Sequence, residues 1–128
     1  MTEAHLTLKA VVRTYPGAGG RQSVHALGPI DLTLSRGEFF SVVGPSGCGK
    51  STLLEIIAGL QPLTEGSLDF EGQQVNGQVP DGVGVVFQEN ASFPWLSVRE
   101  NIAFGLRMNK VKKVEVDERV DFALRLTG

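Results

Sequence analysis

One stretch joins three structural signals without a break: Phe39-Phe40-Ser41-Val42-Val43-Gly44-Pro45-Ser46-Gly47-Cys48-Gly49-Lys50-Ser51-Thr52. The run of Phe and Val that comes first is typical of a buried strand. A glycine-rich loop follows it, and a helical pattern of apolar residues begins after Lys50. The order predicts a strand, a phosphate-binding loop and a helix.

The loop has the residue types that a polyphosphate requires. Residues 44–51 fit G-x-x-x-x-G-K-[ST], in which glycines let backbone N–H groups point at the phosphates and Lys50 reaches the outer ones. The hydroxyl of Ser51 is placed to hold Mg²⁺, and the positive end of the helix dipole adds to the same anion site. So short a pattern also arises by chance, but here it lies between a strand and a helix, as the mechanism requires. It predicts a nucleoside triphosphate site.

Size and charge narrow the class of protein. The 128 residues carry a net charge of −2, which predicts one small globular domain and disfavours nucleic acid as a partner. No apolar run approaches the roughly 18 residues that span a bilayer, and the N-terminus lacks the pattern of a signal peptide, so we expect a soluble, cytoplasmic chain. The single cysteine, Cys48, is more simply explained as a small residue at a permissive loop position than as a redox group.

Two segments with alternating apolar residues precede the loop. The first runs from Leu6 to Val12 and the second from Ile30 to Leu34. Each is typical of a strand with one buried face. Together they predict an antiparallel β layer beside a nucleotide-binding core.

Further elements follow the loop. The loop helix ends near Gly59, with Pro62 just beyond it. A short strand over residues 67–70 comes next, and the apolar run 83–87 predicts an interior strand. Gln88 follows at the carboxyl end of that run, where ligands bind in open α/β sheets. A glutamine in that position is often only a loop residue, so the pattern leaves both interpretations open.

The last part of the chain is helical. Ser97 and Glu100 fit a capping box, which predicts a helix of about ten residues. A final helix has an acidic first turn and an apolar face that needs a packing partner. Trp95 lies in the loop before the first of these helices. It either belongs to a partner surface or packs beneath the helix, and the residues alone support both.

In this order, the motifs are similar to those of a known family. The chain resembles the amino-terminal half of an ATP-binding cassette (ABC) transporter ATPase subunit, most closely the importers of the nitrate, sulfonate and taurine group. The resemblance covers nearly all of the chain. It is carried by the stretches Gly44 to Thr52, Ala58-Gly59-Leu60, Glu65-Gly66, Val85 to Glu89, Pro94 to Val98 and Asn101 to Leu106.

The resemblance implies a fold and a set of site residues. The fold is α/β, a P-loop NTPase core with an antiparallel β layer at the amino terminus. Lys50 and Gln88 would be catalytic, Ser51 and Gln88 would approach Mg²⁺, and Tyr15 would stack on the adenine of ATP. The residues around the phosphates would be Gly44, Ser46, Gly47, Cys48, Gly49, Lys50, Ser51 and Thr52.

The resemblance also implies partners. The segment from Glu89 to Trp95 would lie against a cytoplasmic helix of a transmembrane permease subunit, and a second copy of the ATPase subunit would complete the site. This favours a partner surface at Trp95. The protein would be cytoplasmic and peripheral on the inner face of the cell membrane.

Some motifs of the family are missing. The sequence has no L-S-G-G-Q-like signature, no second apolar strand that ends in Asp-Glu (Walker B), and no switch histidine after it. The family needs that glutamate to polarise water. We therefore expect residues 1–128 to form a partial nucleotide-binding domain, truncated before the signature and Walker B regions, that does not hydrolyse ATP alone. Because half a domain leaves strands unpaired, we also expect aggregation, swapping or marginal stability.

Two functional hypotheses follow. The first is the ATPase subunit of an importer for a small solute such as nitrate, a sulfonate or taurine; the second is a nucleotide-binding module without turnover. A P-loop kinase or GTPase is disfavoured, because the guanine-reading N-K-x-D pattern is absent.

Overall fold

The computed structural model describes residues 3–128. Its contacts divide the chain into two compact units, the first extending to Val85 and the second comprising Val86–Gly128. The prediction that the whole chain forms one partial domain stays a prediction. No helix in the described range is long and apolar enough to cross a membrane.

An antiparallel sheet of four strands forms the first unit. Its strands are β1 (Ala4–Tyr15), β2 (Val24–Ser35), β3 (Glu65–Phe70) and β4 (Gln73–Gln74), in the order β2-β1-β3-β4. A short 3₁₀ turn, Ala18–Gly20, lies between the first two strands. Leu8 is paired with Leu32 on one side and with Leu68 on the other. The predicted antiparallel layer is therefore confirmed.

The core of this unit lies between the sheet and helix α1 (Lys50–Ile57), which directly follows the glycine-rich loop. Leu53 and Ile56 of α1 are buried against apolar side chains of the strands. These two positions are three residues apart and so share one face of the helix. The packing fixes the helix on the sheet and thereby fixes the loop that begins it. The buried strand residues are Leu6, Leu8, Val11, Leu27 and Leu68.

The second unit contains two helices, α2 (Val98–Met108) and α3 (Lys113–Thr127). Ala103 of α2 packs against Val116 and Val120 of α3, so the apolar face predicted for the last helix is covered by the helix before it. The capping box at Ser97 is present as predicted.

Two apolar runs predicted as strands do not form strands. Residues 39–43 and 83–87 carry no strand pairing in the described structure, and Phe39 and Val43 are 94% and 92% exposed. A strand exists only where a neighbouring strand accepts its hydrogen bonds. The outer strands of the observed sheet are β2 and β4, and neither pairs with these runs. Of the apolar runs predicted as strands, only those with such a neighbour among the described residues form strands.

Candidate nucleotide-binding site

The glycine-rich loop connects the sheet to helix α1 and folds as a tight turn. The Cys48 N–H donates to the Pro45 carbonyl at 3.3 Å. Gly47 and Gly49 have φ angles of 79° and 100°, which lie in the left-handed region that favours glycine. The glycines of the motif therefore serve the backbone path of the loop.

Gly49 brings the end of the loop into direct contact with strand β2. A Cβ atom at this position would lie 2.7 Å from the Ala26 carbonyl oxygen and 3.2 Å from Leu27 Cδ1. Only a residue without a side chain permits so close an approach. Gly49 thus sets where α1 begins relative to the sheet.

The first turn of α1 leaves its backbone donors available to an anion. The N-cap residue, Gly49, has no side chain that accepts a hydrogen bond, and the first helical bond runs from the Leu53 N–H to the Gly49 carbonyl at 2.9 Å. The N–H groups of Lys50, Ser51 and Thr52 therefore have no carbonyl partner in the helix. Such a helix end binds phosphate groups through its N–H groups and its dipole.

The Lys50 ammonium lies inside the loop. Its Nζ donates to the carbonyl oxygens of Gly44 and Pro45, each at 2.7 Å, and lies 3.6 Å from the exposed Cys48 Sγ. The side chain folds back from the helix and places one positive charge against the loop backbone. The predicted role of Lys50 at bound phosphates stays a prediction.

Ser51 fits the role predicted for a Mg²⁺ ligand. It is exposed in the first turn of α1, and in residues 3–128 its hydroxyl makes no hydrogen bond. Hydroxyl and phosphate oxygens are the hard ligands that Mg²⁺ prefers. An ion held between Ser51 and bound phosphates would neutralise phosphate charge.

Tyr15 lies at the end of strand β1 and is held by two neighbours. Its hydroxyl donates to Gln61 Oε1 at 2.5 Å, and the Arg13 guanidinium lies 4.5 Å from its ring centroid. Gln61 in turn donates to the carboxylate of Glu55 in α1. Tyr15 is thus connected to α1 and the segment after it, while its hydrogen bond does not reach the glycine-rich loop. Sequence reasoning missed Gln61, because no local pattern connects residues 46 positions apart.

The other predicted residues lie in the second unit. Gln88 is exposed in a bend near the start of this unit. Trp95 is 75% exposed, so the interpretation that it packs beneath the helix is wrong. The aromatic residue that does pack there is Phe93, whose ring centroid lies 4.6 Å from that of Phe104 and 5.3 Å from that of Trp95.

Comparisons with known proteins agree with the geometry of the loop. Residues 27–128 match the family model of ABC transporters. The taurine import ATP-binding protein TauB of Roseobacter denitrificans is 49% identical over 106 residues, which are 82% of this chain and 39% of that protein. The sn-glycerol-3-phosphate import ATP-binding protein UgpC of Rhodopseudomonas palustris is 44% identical over 125 residues, 96% of this chain and 33% of that protein. The chain thus spans about a third of the length of these relatives.

A solved structure supports the fold. The dimeric ATP-binding cassette MJ0796, in a post-hydrolysis state bound to ADP and Pi, matches with a TM-score of 0.80 and 31% identity over 94% of this chain and 56% of that one. The antiparallel sheet and the helices of this chain are those expected for the amino-terminal part of an α/β cassette. From the family match, the relatives and this fold, the chain belongs to the ABC transporter family and corresponds to part of its ATP-binding domain.

Proposed function

We propose that the chain binds ATP with Mg²⁺ through residues 44–52 and belongs to the ATP-binding subunit of an importer. The observation that carries the proposal is the Lys50 ammonium on the loop carbonyls, at the start of a helix whose first three N–H groups have no carbonyl partner. One cation and several convergent donors at a helix N-terminus form a site for a polyphosphate.

In this proposal, each residue of the loop has a defined task. Lys50 exchanges the carbonyls of Gly44 and Pro45 for the outer phosphate oxygens of ATP. Ser51 would hold Mg²⁺ together with those oxygens, and the bound ion would neutralise phosphate charge. The turn residues Ser46, Gly47, Cys48 and Gly49 and the helix residue Thr52 surround the phosphates.

Two residues outside the loop have proposed roles of their own. Tyr15 stacks on adenine with the ring face that Arg13 does not cover. From the family resemblance, Gln88 would have a catalytic role toward Mg²⁺ and water in the complete subunit. If Tyr15 has this role, a Tyr15→Ala variant should lose affinity for ATP but keep its affinity for inorganic triphosphate. Equal losses for both ligands would contradict it.

We also propose two protein partners at the cytoplasmic face of a membrane. The permease subunit contacts the segment from Glu89 to Trp95, and the large exposed surface of Trp95 supports this assignment. A second copy of the ATPase subunit completes the nucleotide site, and the dimeric state of the similar cassette MJ0796 supports that arrangement. Loss of co-purification with the permease in a Trp95→Ala variant tests the first contact, and unchanged co-purification would contradict it.

The 128-residue chain is proposed to bind nucleotide without hydrolysing it. Its sequence contains no apolar strand ending in Asp-Glu, and that glutamate is the group expected to polarise water. Measurable turnover by the purified chain, abolished in Lys50→Ala, would overturn this proposal.

The alternative function is a nucleotide-binding module that never hydrolyses ATP. The DNA after codon 128 separates it from the transport ATPase. An in-frame signature and Walker B motif would support the ATPase, and a genuine stop codon would support the module.

The proposed solute is taurine, another sulfonate or nitrate. The TauB relative supports this group, while other relatives are named for sn-glycerol-3-phosphate, maltose/maltodextrin and bicarbonate. Growth of a deletion strain on each compound as sole sulfur or nitrogen source tests the assignment. A specific defect on one of the three would support it, and normal growth on all three would remove it.

A further inference from the structure

The aromatic segment before helix α2 is a tight turn with a tryptophan at its tip. The Leu96 N–H donates to the Phe93 carbonyl at 3.1 Å and closes a four-residue turn. Pro94 occupies the second position, where its fixed φ favours such turns. Trp95 occupies the third position and extends into solvent, with 75% of its surface exposed.

One side chain of α2 holds both ends of this turn. Asn101 Oδ1 accepts the Phe93 N–H at 2.7 Å. Its Nδ2 lies 3.1 Å from the Phe93 carbonyl, 3.1 Å from the Leu96 carbonyl and 2.9 Å from the Ser97 carbonyl. The amide has two hydrogens for three acceptors, so at least one hydrogen is shared.

A second contact lies on the same face of the helix. Phe104 is three residues after Asn101, and its ring centroid is 4.6 Å from that of Phe93. The turn is therefore attached to α2 by the Asn101 amide and by the Phe93 ring. Trp95 contacts the ring of Phe93 with its own ring, at 5.3 Å between centroids.

We propose that Asn101 is the positioning residue that fixes the 93–96 turn on α2 and keeps the Trp95 side chain presented to the permease subunit. This inference rests on the partner contact of the proposed function. The surface of that subunit that contacts Trp95 is an apolar face of a cytoplasmic helix, because a large exposed indole contributes most binding free energy when it is buried in an apolar surface.

The chemistry of the contacts explains why one residue has this effect. Without the Asn101 amide, the Phe93 N–H and the Phe93 and Leu96 carbonyls lose partners at positions that the helix partly covers, and unpaired polar groups there disfavour the turn. Aspartate at the same position keeps an acceptor for the Phe93 N–H but lacks the donors for the carbonyls. An Asn101→Asp variant therefore removes half of the attachment.

The test uses the fluorescence of Trp95, which is the single tryptophan of the chain. In Asn101→Ala we expect lower steady-state anisotropy and loss of the near-UV circular dichroism of the indole, with the far-UV helix signal retained. Asn101→Asp should lie between Asn101→Ala and the unsubstituted chain. The matched control is Asn109→Ala, because the Asn109 amide donates only to the Gly105 carbonyl of the same helix.

Indole signals in Asn101→Ala equal to those of the unsubstituted chain would overturn the proposal. If that variant also loses helix signal, amide exchange in the unsubstituted chain decides instead. Slow exchange of the Phe93 N–H relative to the Trp95 N–H supports the Asn101 contact, and equal exchange overturns it. Both measurements are made without the permease subunit and without nucleotide, so a failure of the proposed partner contact or of ATP binding is distinguishable from a failure of this proposal.

Discussion

At the end of the glycine-rich loop, two glycines share a left-handed backbone but differ in their surroundings. A Cβ atom on Gly49 would collide with the Ala26 carbonyl oxygen at 2.7 Å, whereas a Cβ atom on Gly47 would have no atom within 4 Å. A side chain at position 49 is therefore disfavoured both by the backbone conformation and by a steric clash. At position 47 only the backbone conformation disfavours it.

We predict that Gly49→Ala destabilises the chain more than Gly47→Ala. The positive φ costs each variant about 1–2 kcal/mol, and the clash with strand β2 adds to the cost only at position 49. Urea unfolding followed by far-UV circular dichroism measures both. Equal free energies of unfolding for the two variants would show that the contact between the loop and β2 has no effect on stability.

At the scale of the element, helix α2 begins with a reciprocal cap. The Glu100 N–H donates to Ser97 Oγ at 3.2 Å, and the Ser97 N–H donates to the Glu100 carboxylate at 2.7 Å. The backbone N–H of Ser97, helped by the Ser97 side chain and by Arg107, lowers the pKa of Glu100 from its ordinary value of 4.5. The charged form of Glu100 is therefore the one that stabilises the helix.

Removing this cap should destabilise the second unit. Ser97→Ala is expected to cost about 1 kcal/mol of unfolding free energy, since it removes the acceptor for the Glu100 N–H. Ser92→Ala, in the exposed loop of the same unit, is the control and should change little. Urea unfolding read by Trp95 fluorescence makes the comparison. A Ser97→Ala chain as stable as the control would contradict the cap.

The cap also predicts a pH dependence. Because the folded pKa of Glu100 lies below the unfolded one, its stabilisation is present above about pH 4.5 and is lost as the pH falls through the folded pKa. The difference in stability between the unsubstituted chain and Glu100→Gln should therefore shrink below pH 4.5. A difference that stays constant from pH 7 to pH 3 would contradict this.

Local sequence signals predicted most of these elements and none of their long-range contacts. The alternation from Leu6 to Val12, the capping box at Ser97 and the glycine motif each act within a few residues, so they can be read from the chain. The apolar run 39–43 is predicted as a strand because an apolar pattern indicates burial. Whether a strand forms depends on a neighbouring strand that can be distant in sequence. The contacts of Tyr15 with Gln61 and of Asn101 with the 93–96 turn depend on packing, and no spacing rule predicted them.

At the scale of the whole molecule, the apolar run 39–43 lies exposed just before the glycine-rich loop. It carries two Phe and two Val, no charge, and no strand partner within residues 3–128. Short segments with high β-propensity, low charge and unpaired backbone groups associate between chains. The sequence expectation that the isolated chain aggregates or swaps rests on the unpaired strands of half a domain, and this exposed run is a second reason for it.

We predict that the 128-residue chain self-associates and that a Phe39→Lys, Val43→Lys double variant reduces the association. Charges on the segment oppose strand pairing between copies. Val114→Lys, at an exposed position on α3, is the control and should leave association unchanged. Sedimentation velocity over a range of concentrations measures the species. A monodisperse monomer with a sharp thermal transition would contradict the prediction.

The account as a whole depends on the glycine-rich loop as a polyphosphate site, and calorimetric titration with ATP and Mg²⁺ tests that claim most directly. The unsubstituted chain should bind, and Lys50→Ala should bind about tenfold to a hundredfold more weakly, as expected for the loss of roughly 1.5–3 kcal/mol of charged hydrogen bonds. Lys9→Ala, an exposed lysine on β1, should bind like the unsubstituted chain. Equal affinities for the Lys50→Ala and unsubstituted chains would contradict the account.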